Sequence, residues 1–177
     1  MLYPYIYYPV CHICRNYFMS YNPEIHHRRS IRLKGYNYTN SGIYFVTICC
    51  YQRQHLFGSV NNGEMEINVI GQIVSNLWQK IPHHFLNVEL DEFILMPDHL
   101  HGIIITSEST EKSSLANIVQ NFKSVSSRKI NRINKNYGMS IWQRNYYEKI
   151  VRTEQELENL RDYIQNNPAN WTGDDTE

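Results

Sequence analysis

The stretch from Val88 to Thr106, VELDEFILMPDHLHGIIIT, constrains the fold more than any other. Two runs rich in apolar and β-branched residues flank the turn residues Pro97 and Asp98, so it reads as strands over 88–96 and 100–106. Two histidines, His99 and His101, interrupt what is otherwise sheet core. Residues two apart on a strand point to one face, so both imidazoles project together while Leu100 turns the other way. Two neutral imidazoles on one face can supply two ligands to a divalent metal. With eight histidines in 177 residues the spacing also arises readily by composition, so it needs support from elsewhere in the chain. The extensions that mark other chemistries are missing. No HxHxDH follows, and there is no second HxT or HxS of the kind a two-histidine phosphoesterase requires.

The surrounding pattern supplies a fold. IYFVTICC (43–50) has strand composition, and Asn62-Gly63 predicts a small β-ribbon over 55–67. Ile67, Ile70, Ile73, Val74, Leu77, Trp78 and Ile81 recur at helical spacing over 67–81, with Pro82 just past the end. A second amphipathic helix covers 115–131, with Leu115, Ile118, Val119, Phe122 and Ile130 inward and Lys123, Arg128 and Lys129 largely outward. Residues 140–151 read as a strand or extended piece. The last helix opens on a capping box, Thr153 to Glu156, carries Leu157, Leu160 and Ile164 inward, and stops near Asn167 before Pro168. The order β, ribbon, α, β, β, α, β, α is close to a ferredoxin-like layout. We therefore expect an α+β fold with helices packed on one face of an antiparallel sheet.

A chain of 177 residues suits a single domain, expected over 24–172. Residues 1–23 match nothing periodic and read as an appendage, and 173–177 as an acidic tail. Met19 opens MSYNPEIHHRRS and is a candidate natural start, with the first 18 residues an upstream read-through. No stretch approaches the roughly 18 apolar residues a membrane helix needs. The aromatic opening, broken by two prolines and without a basic n-region, makes a poor signal peptide. A cytoplasmic protein is the expectation. Cys49 and Cys50 read as small core hydrophobes and the Cys11/Cys14 pair as free thiols.

Formal net charge is zero, but its distribution is uneven. From Lys112 to Arg152 there are nine basic residues and one acidic, Glu148; from Thr153 onward there are seven acidic and one basic, Arg161. A second basic run, HHRRSIRLK, covers His26 to Lys34. Each run alone reads equally well as a solvated face. Brought together by the fold, the two would make a polyanion-binding surface.

The last helix offers the histidines a partner. In LRDYIQNNPANW, Tyr163 and Asn167 are four apart and stack on one helix face, at the edge of the apolar stripe. A carboxamide oxygen from Asn167 would complete a His-His-Asn set suited to Mg²⁺ or Mn²⁺, with the Tyr163 phenol about one turn away. Equally, Tyr163 caps the core edge and Asn167 simply ends the helix; Gln165 and Asn166 stand close enough to compete as ligands.

These residues resemble a known family. MPDHLHGII is similar to the HUH element (histidine, hydrophobic, histidine) of single-tyrosine, IS200-like transposases. WQRNYYEKIVR…EQELENLRDYIQNNPANW and HHRRSIRLKGYNYTNSGIYFVTICCYQRQHLFG resemble the C-terminal and N-terminal blocks of one branch, the REP-associated tyrosine transposases. The likeness runs from about Asn22 to Trp171. It implies metal ligands at His99, His101 and Asn167, a catalytic tyrosine at Tyr163, and a divalent metal, Mg²⁺ or Mn²⁺. The adjacent Tyr146 and Tyr147 compete for the nucleophile role but fall outside the matching YIQNNP position. The implied activity is attack of a tyrosine on single-stranded DNA beside a hairpin, giving a 5′-phosphotyrosine link and strand transfer. REP-like palindromes would be the partner, the protein would be nucleoid-associated when bound, and it would act as a monomer or homodimer. Arg28, Arg29, Arg32, Lys34, Lys123, Arg128, Lys129, Arg132 and Arg144 would hold DNA phosphates. Two rival readings stay open: a domesticated hairpin-binding module without chemistry, and a metal-dependent phosphoesterase that forms no covalent adduct.

Overall fold

In the computed structural model, which describes residues 41–108 and 113–172, the elements in chain order are β1 (Gly42–Cys49), β2 (Gly58–Asn61), β3 (Glu64–Ile67), α1 (Val69–Gln79), α2 (Ile81–His84), β4 (Val88–Leu95), β5 (His99–Thr106), α3 (Leu115–Ile133), β6 (Tyr147–Val151) and α4 (Glu154–Asn166). The appendage, the Cys11/Cys14 pair, Arg28, Arg29, Arg32, Lys34 and the acidic tail lie outside the described residues.

The sheet runs β4-β5-β1-β6 with every neighbouring pair antiparallel, the strand order of a ferredoxin-like fold. β1 lies inside it and is buried from Tyr44 to Cys49, which explains why IYFVTICC does not alternate: both of its faces are covered. β4 and β5 meet across the two-residue Pro97-Asp98 turn, where Met96 N–H donates to His99 O at 2.8 Å. The extension of β1 pins that turn through Cys50 N–H to Asp98 O (2.7 Å). The separate β2–β3 ribbon turns at Asn62 and Gly63, both at positive φ (52° and 79°), as a type I′ hairpin demands.

Side chains alternate across β1 and β5, so the sheet presents two apolar surfaces. Tyr44, Val46, Ile48, Leu100 and Ile104 face α1 and α3, where Trp78, Phe122 and Trp142 complete the larger core. Trp78 lies directly on the β5 backbone. A Cβ at Gly102 would sit 2.5 Å from the indole, so this position must be glycine. Trp142 Nε1 donates to Ser126 Oγ (2.8 Å), which removes the cost of burying its polar edge.

The α+β architecture and antiparallel sheet match the expectation, and α1 and α3 do share one face. α4 takes the other face. Phe45 and Ile103 make that side as apolar as the first, and Leu157, Leu160 and Ile164 cover it, at about 1.5–3 kcal/mol for each buried side chain. At the α4 N-terminus, Glu156 N–H donates to Thr153 Oγ1 (3.2 Å), while Glu156 Oε2 reaches back to Arg152 N–H (2.9 Å) rather than to Thr153 itself. A register shift in β4 between Leu90 and Phe93 accompanies a second tie: Arg161 Nη2 and Nε grip Asp91 at 2.6 and 3.1–3.2 Å. That guanidinium holds the Asp91 carboxyl below its usual range.

Three boundaries differ from the expectation. Ile67 stays in β3, paired with Gly58, and α1 starts after the Asn68 cap, whose side chain accepts from Gly71 N–H (2.8 Å). Pro82 opens the short α2 instead of closing a helix. Of 140–151, only Tyr147–Val151 forms a strand; Trp142 makes a single bridge to Cys50.

Candidate active site

His99 and His101 sit on the face of β5 that α4 covers, and both are almost fully buried. Each Nδ1 is engaged. His99 Nδ1 lies 2.6 Å from Asp98 Oδ1, and a carboxylate only accepts, so that nitrogen carries the proton and Nε2 keeps its lone pair. His101 Nδ1 lies 2.8 Å from Thr47 Oγ1, its partner across β1. A hydroxyl serves either tautomer, so the His101 Nε2 lone pair can also be freed. Phe45 stacks on the His101 ring at 5.3 Å and 22°. Burial holds both imidazoles below their usual pKa; His101 is pushed further by its proximity to His99. Both are therefore held neutral at physiological pH, the form in which an imidazole nitrogen can coordinate a cation.

The two Nε2 atoms converge at 3.0 Å. Nitrogens held about 2.1 Å from one ion at right angles also lie about 3.0 Å apart, so the pair fits two neighbouring corners of an octahedral site. Carboxylate and hydroxyl partners behind the imidazoles are what metal-binding histidines use to fix their tautomer and ring orientation. Among the described residues no three His, Cys, Asp or Glu side chains are arranged to hold a metal ion together.

α4 brings the oxygen groups. Tyr163 hydroxyl lies 3.3 Å from His101 Nε2, with its ring edge-on to Phe45 (6.1 Å) and against His101 (5.2 Å). The buried side chain of Asn167, one turn on, hydrogen-bonds the same hydroxyl. Gln165 and Asn166 are exposed, and Asn166 Nδ2 donates to Asp162 O (2.7 Å), so neither joins the cluster. Burial raises the Tyr163 pKa, while the Asn167 contact and the charge of Arg53 oppose the rise. Tyr147 lies opposite Thr47 on β6, two strands from His101 and so about 10 Å away at the backbone. Tyr146 packs toward the α1/α3 core.

Four residues at the site were invisible as site residues in the sequence. Asp98 read as a turn former, and Thr47 meets His101 only through strand register. Trp171, just beyond α4, tilts over His99 at 5.8 Å and meets His55 at 5.9 Å, forming a half-exposed aromatic wall. Arg53 Nε pairs with Asp98 Oδ2 at 2.6 Å.

The basic residues divide. Arg128, Lys129 and Arg132 are exposed on α3 and line a shallow groove of about 730 Å³ with Val125 and Ile133, across the sheet from the histidines. Arg144 is exposed in the following loop. Lys123 is different: its ammonium turns inward onto the carbonyls of Gln143 (2.5 Å) and Arg144 (2.9 Å), and burial pulls its pKa down to about 8. No helix among the described residues is long and apolar enough to cross a membrane.

Comparison with known proteins gives the family. The profile of the family described as transposase IS200 like matches residues 37–167. A Haemophilus influenzae protein without a functional name is 42% identical over 177 residues, covering 88% of this chain and 96% of that one. A second protein of that organism, provisionally named a REP-associated tyrosine transposase, is 27% identical over 139 residues, covering 75% and 73%. The solved structure of a REP-associated tyrosine transposase bound to a REP hairpin superposes with a TM-score of 0.59 at 18% identity, covering 78% of this chain and 73% of its own, a likeness of fold. With a profile match spanning most of its length, this chain belongs to the IS200-like transposase family.

Proposed function

We propose that this transposase is of the REP-associated branch and cleaves single-stranded DNA beside a hairpin, with Tyr163 as nucleophile. One observation carries the reading: the Tyr163 hydroxyl stands 3.3 Å from His101 Nε2, at the point where both histidine lone pairs converge. His99 Nε2, His101 Nε2 and the Asn167 amide oxygen would hold Mg²⁺ or Mn²⁺, which when bound supplies charge withdrawal from the scissile phosphate. Phe45 and the Asn167 amide fix the phenol in one orientation, so its attack needs little reorganisation. The Tyr163 Oη–P bond forms as the P–O3′ bond breaks, and the proton lost by the phenol is matched by one taken up at the 3′-oxygen. The 5′-phosphotyrosyl link keeps the phosphodiester energy, so rejoining needs no ATP.

Hairpin DNA as the partner is supported by the REP hairpin in the structural relative. Arg128, Lys129 and Arg132 would hold the phosphates of the paired stem, and Arg28, Arg29, Arg32, Lys34 and Arg144 would supply further phosphate contacts. Lys123 is the weakest member of the set, since its ammonium is spent on backbone carbonyls. Trp171 would stack an unpaired base beside the reacting phosphate.

The test mixes the protein with labelled single-stranded DNA carrying a hairpin from the gene's own flanks, with Mn²⁺ or Mg²⁺, and reads protein–DNA adducts on a denaturing gel. The expected adduct disappears with Tyr163→Phe and with EDTA. Clear hairpin binding with no adduct on any flank would favour the binding-module reading instead.

A further inference from the structure

Arg53 is the charged residue beside the histidines that no motif of the chain singles out. Its backbone is unusual. Gln52 and Arg53 both adopt φ 54°, two successive side-chain-bearing residues in the left-handed region, within the three-residue 3-10 turn Tyr51–Arg53 that follows β1. Conformations that L-residues disfavour persist where surrounding contacts enforce them, and they concentrate at functional sites.

The contacts here enforce the direction of one side chain. Arg53 Nε donates to Asp98 Oδ2 at 2.6 Å and Nη1 to Cys49 Sγ at 3.2 Å. Asp98 Oδ1 in turn holds His99 Nδ1 at 2.6 Å, and Cys49 is the register partner of His99 on β1. The guanidinium is thus tied through Nε to the carboxylate that holds His99 and through Nη1 to the residue paired with His99. Among the described residues Nη2 meets no protein acceptor, and the side chain is 29% exposed. Its charge bears on His99, His101 and Tyr163 alike. Neutralising the buried Asp98 accounts for Nε alone. A planar guanidinium fixed through Nε and Nη1 on the Asp98 support of His99, with its Nη2 donors open, is able to take a phosphate oxygen.

We propose that Nη2 of the Arg53 guanidinium binds a non-bridging oxygen of the scissile phosphate, making Arg53 a catalytic residue of strand cleavage. The proposal rests on the reading of Tyr163 as nucleophile. As the Tyr163 Oη–P bond forms and P–O3′ breaks, negative charge builds on the non-bridging oxygens, and Arg53 meets it with hydrogen bonds already aimed there. Arg53 itself gains and loses nothing covalently.

The test compares a hairpin substrate carrying an ordinary scissile phosphate with two in which a neutral methylphosphonate replaces it, one for each diastereomer. Arg53→Ala should cut adduct formation on the phosphate about 100-fold, the scale for losing one aimed donor. On one methylphosphonate diastereomer the variant should come within about tenfold of the parent protein, since the charge to be neutralised is gone. Arg53→Lys, which can keep a cation on Asp98, should fall between the two and guards against a misfolded alanine variant. Asp98→Asn, acting through His99, should be equally impaired on all three substrates. If Arg53→Ala and Arg53→Lys keep the same relative defect on phosphate and on both methylphosphonates, the residue acts only through Asp98 and the proposal is overturned. An unmodified protein that forms no adduct on any phosphate hairpin would overturn the nucleophile reading and this one with it.

Discussion

The two faces of the sheet make an instructive pair. Toward α1 and α3, Tyr44, Val46, Ile48, Leu100 and Ile104 meet Trp78, Phe122 and Trp142 in a large apolar layer. Toward α4, the apolar layer is smaller (Phe45, Ile103, Val151, Leu157, Leu160 and Ile164), and Thr47, His99, His101 and Tyr163 occupy the end of it. The same strands supply both layers, one residue out of phase. On the first face burial holds the fold together. On the second the same burial keeps two imidazoles neutral, with their Nε2 atoms converging. A fold that puts most of its cohesion on one side of a sheet can spend the other side on chemistry. Mutations on the two sides should therefore fail in different ways.

The sharpest separation is Tyr163→Phe. The ring keeps its contacts with Phe45 and His101, so the melting temperature should move by only a few degrees while adduct formation on the denaturing gel vanishes. A variant that loses stability in step with activity would blur the division between the faces.

Next in size is a crossed pair. Trp78→Ala should cost about 3–5 kcal/mol in denaturant unfolding, because a fully buried indole leaves a cavity over Gly102. His101→Ala should cost less, and should abolish the stabilisation expected of Mn²⁺ on the parent protein, about 2.7 kcal/mol at a hundredfold excess over Kd. Loss of the Mn²⁺ shift in a folded Trp78→Ala would break the comparison.

A third test uses Lys123, which belongs to neither face's machinery. Its pKa is about 8 when folded, below the ordinary lysine value, so the unfolded chain binds more protons between those two points. Stability should rise with pH from about 8 toward the ordinary lysine range. Lys123→Met should remove that slope and destabilise by about 1–3 kcal/mol, leaving the Gln143 and Arg144 carbonyls without their donor. Smallest is Arg132→Ala, which should lower the salt slope of hairpin binding by about one and leave the adduct yield of saturated complexes unchanged.

Much of this was legible in the residues. Strand composition found β1, Asn62-Gly63 found the ribbon, and a spacing of two fixed His99 and His101 on one face. The four-residue step from Tyr163 to Asn167 anticipated their shared cluster. The face chosen by α4 was not legible, because β1 and β5 are apolar on both sides and local periodicity does not say which side a later helix covers. Thr47 depends on register between strands 54 residues apart. Asp98 looked like any turn residue, and a helical projection of Lys123 cannot foresee the carbonyls that turn it inward.

The central claim, that Tyr163 attacks DNA from beside the histidine pair, is tested most directly by trypsin digestion of the isolated adduct and mass spectrometry of the nucleotide-bearing peptide. Cleavage after Arg161 gives a peptide beginning at Asp162 whose only tyrosine is Tyr163, whereas Tyr146 and Tyr147 share the peptide Asn145–Lys149. Nucleotide mass on the Asp162 peptide is the result expected here. The same mass on Asn145–Lys149 would contradict the account and move the chemistry to β6.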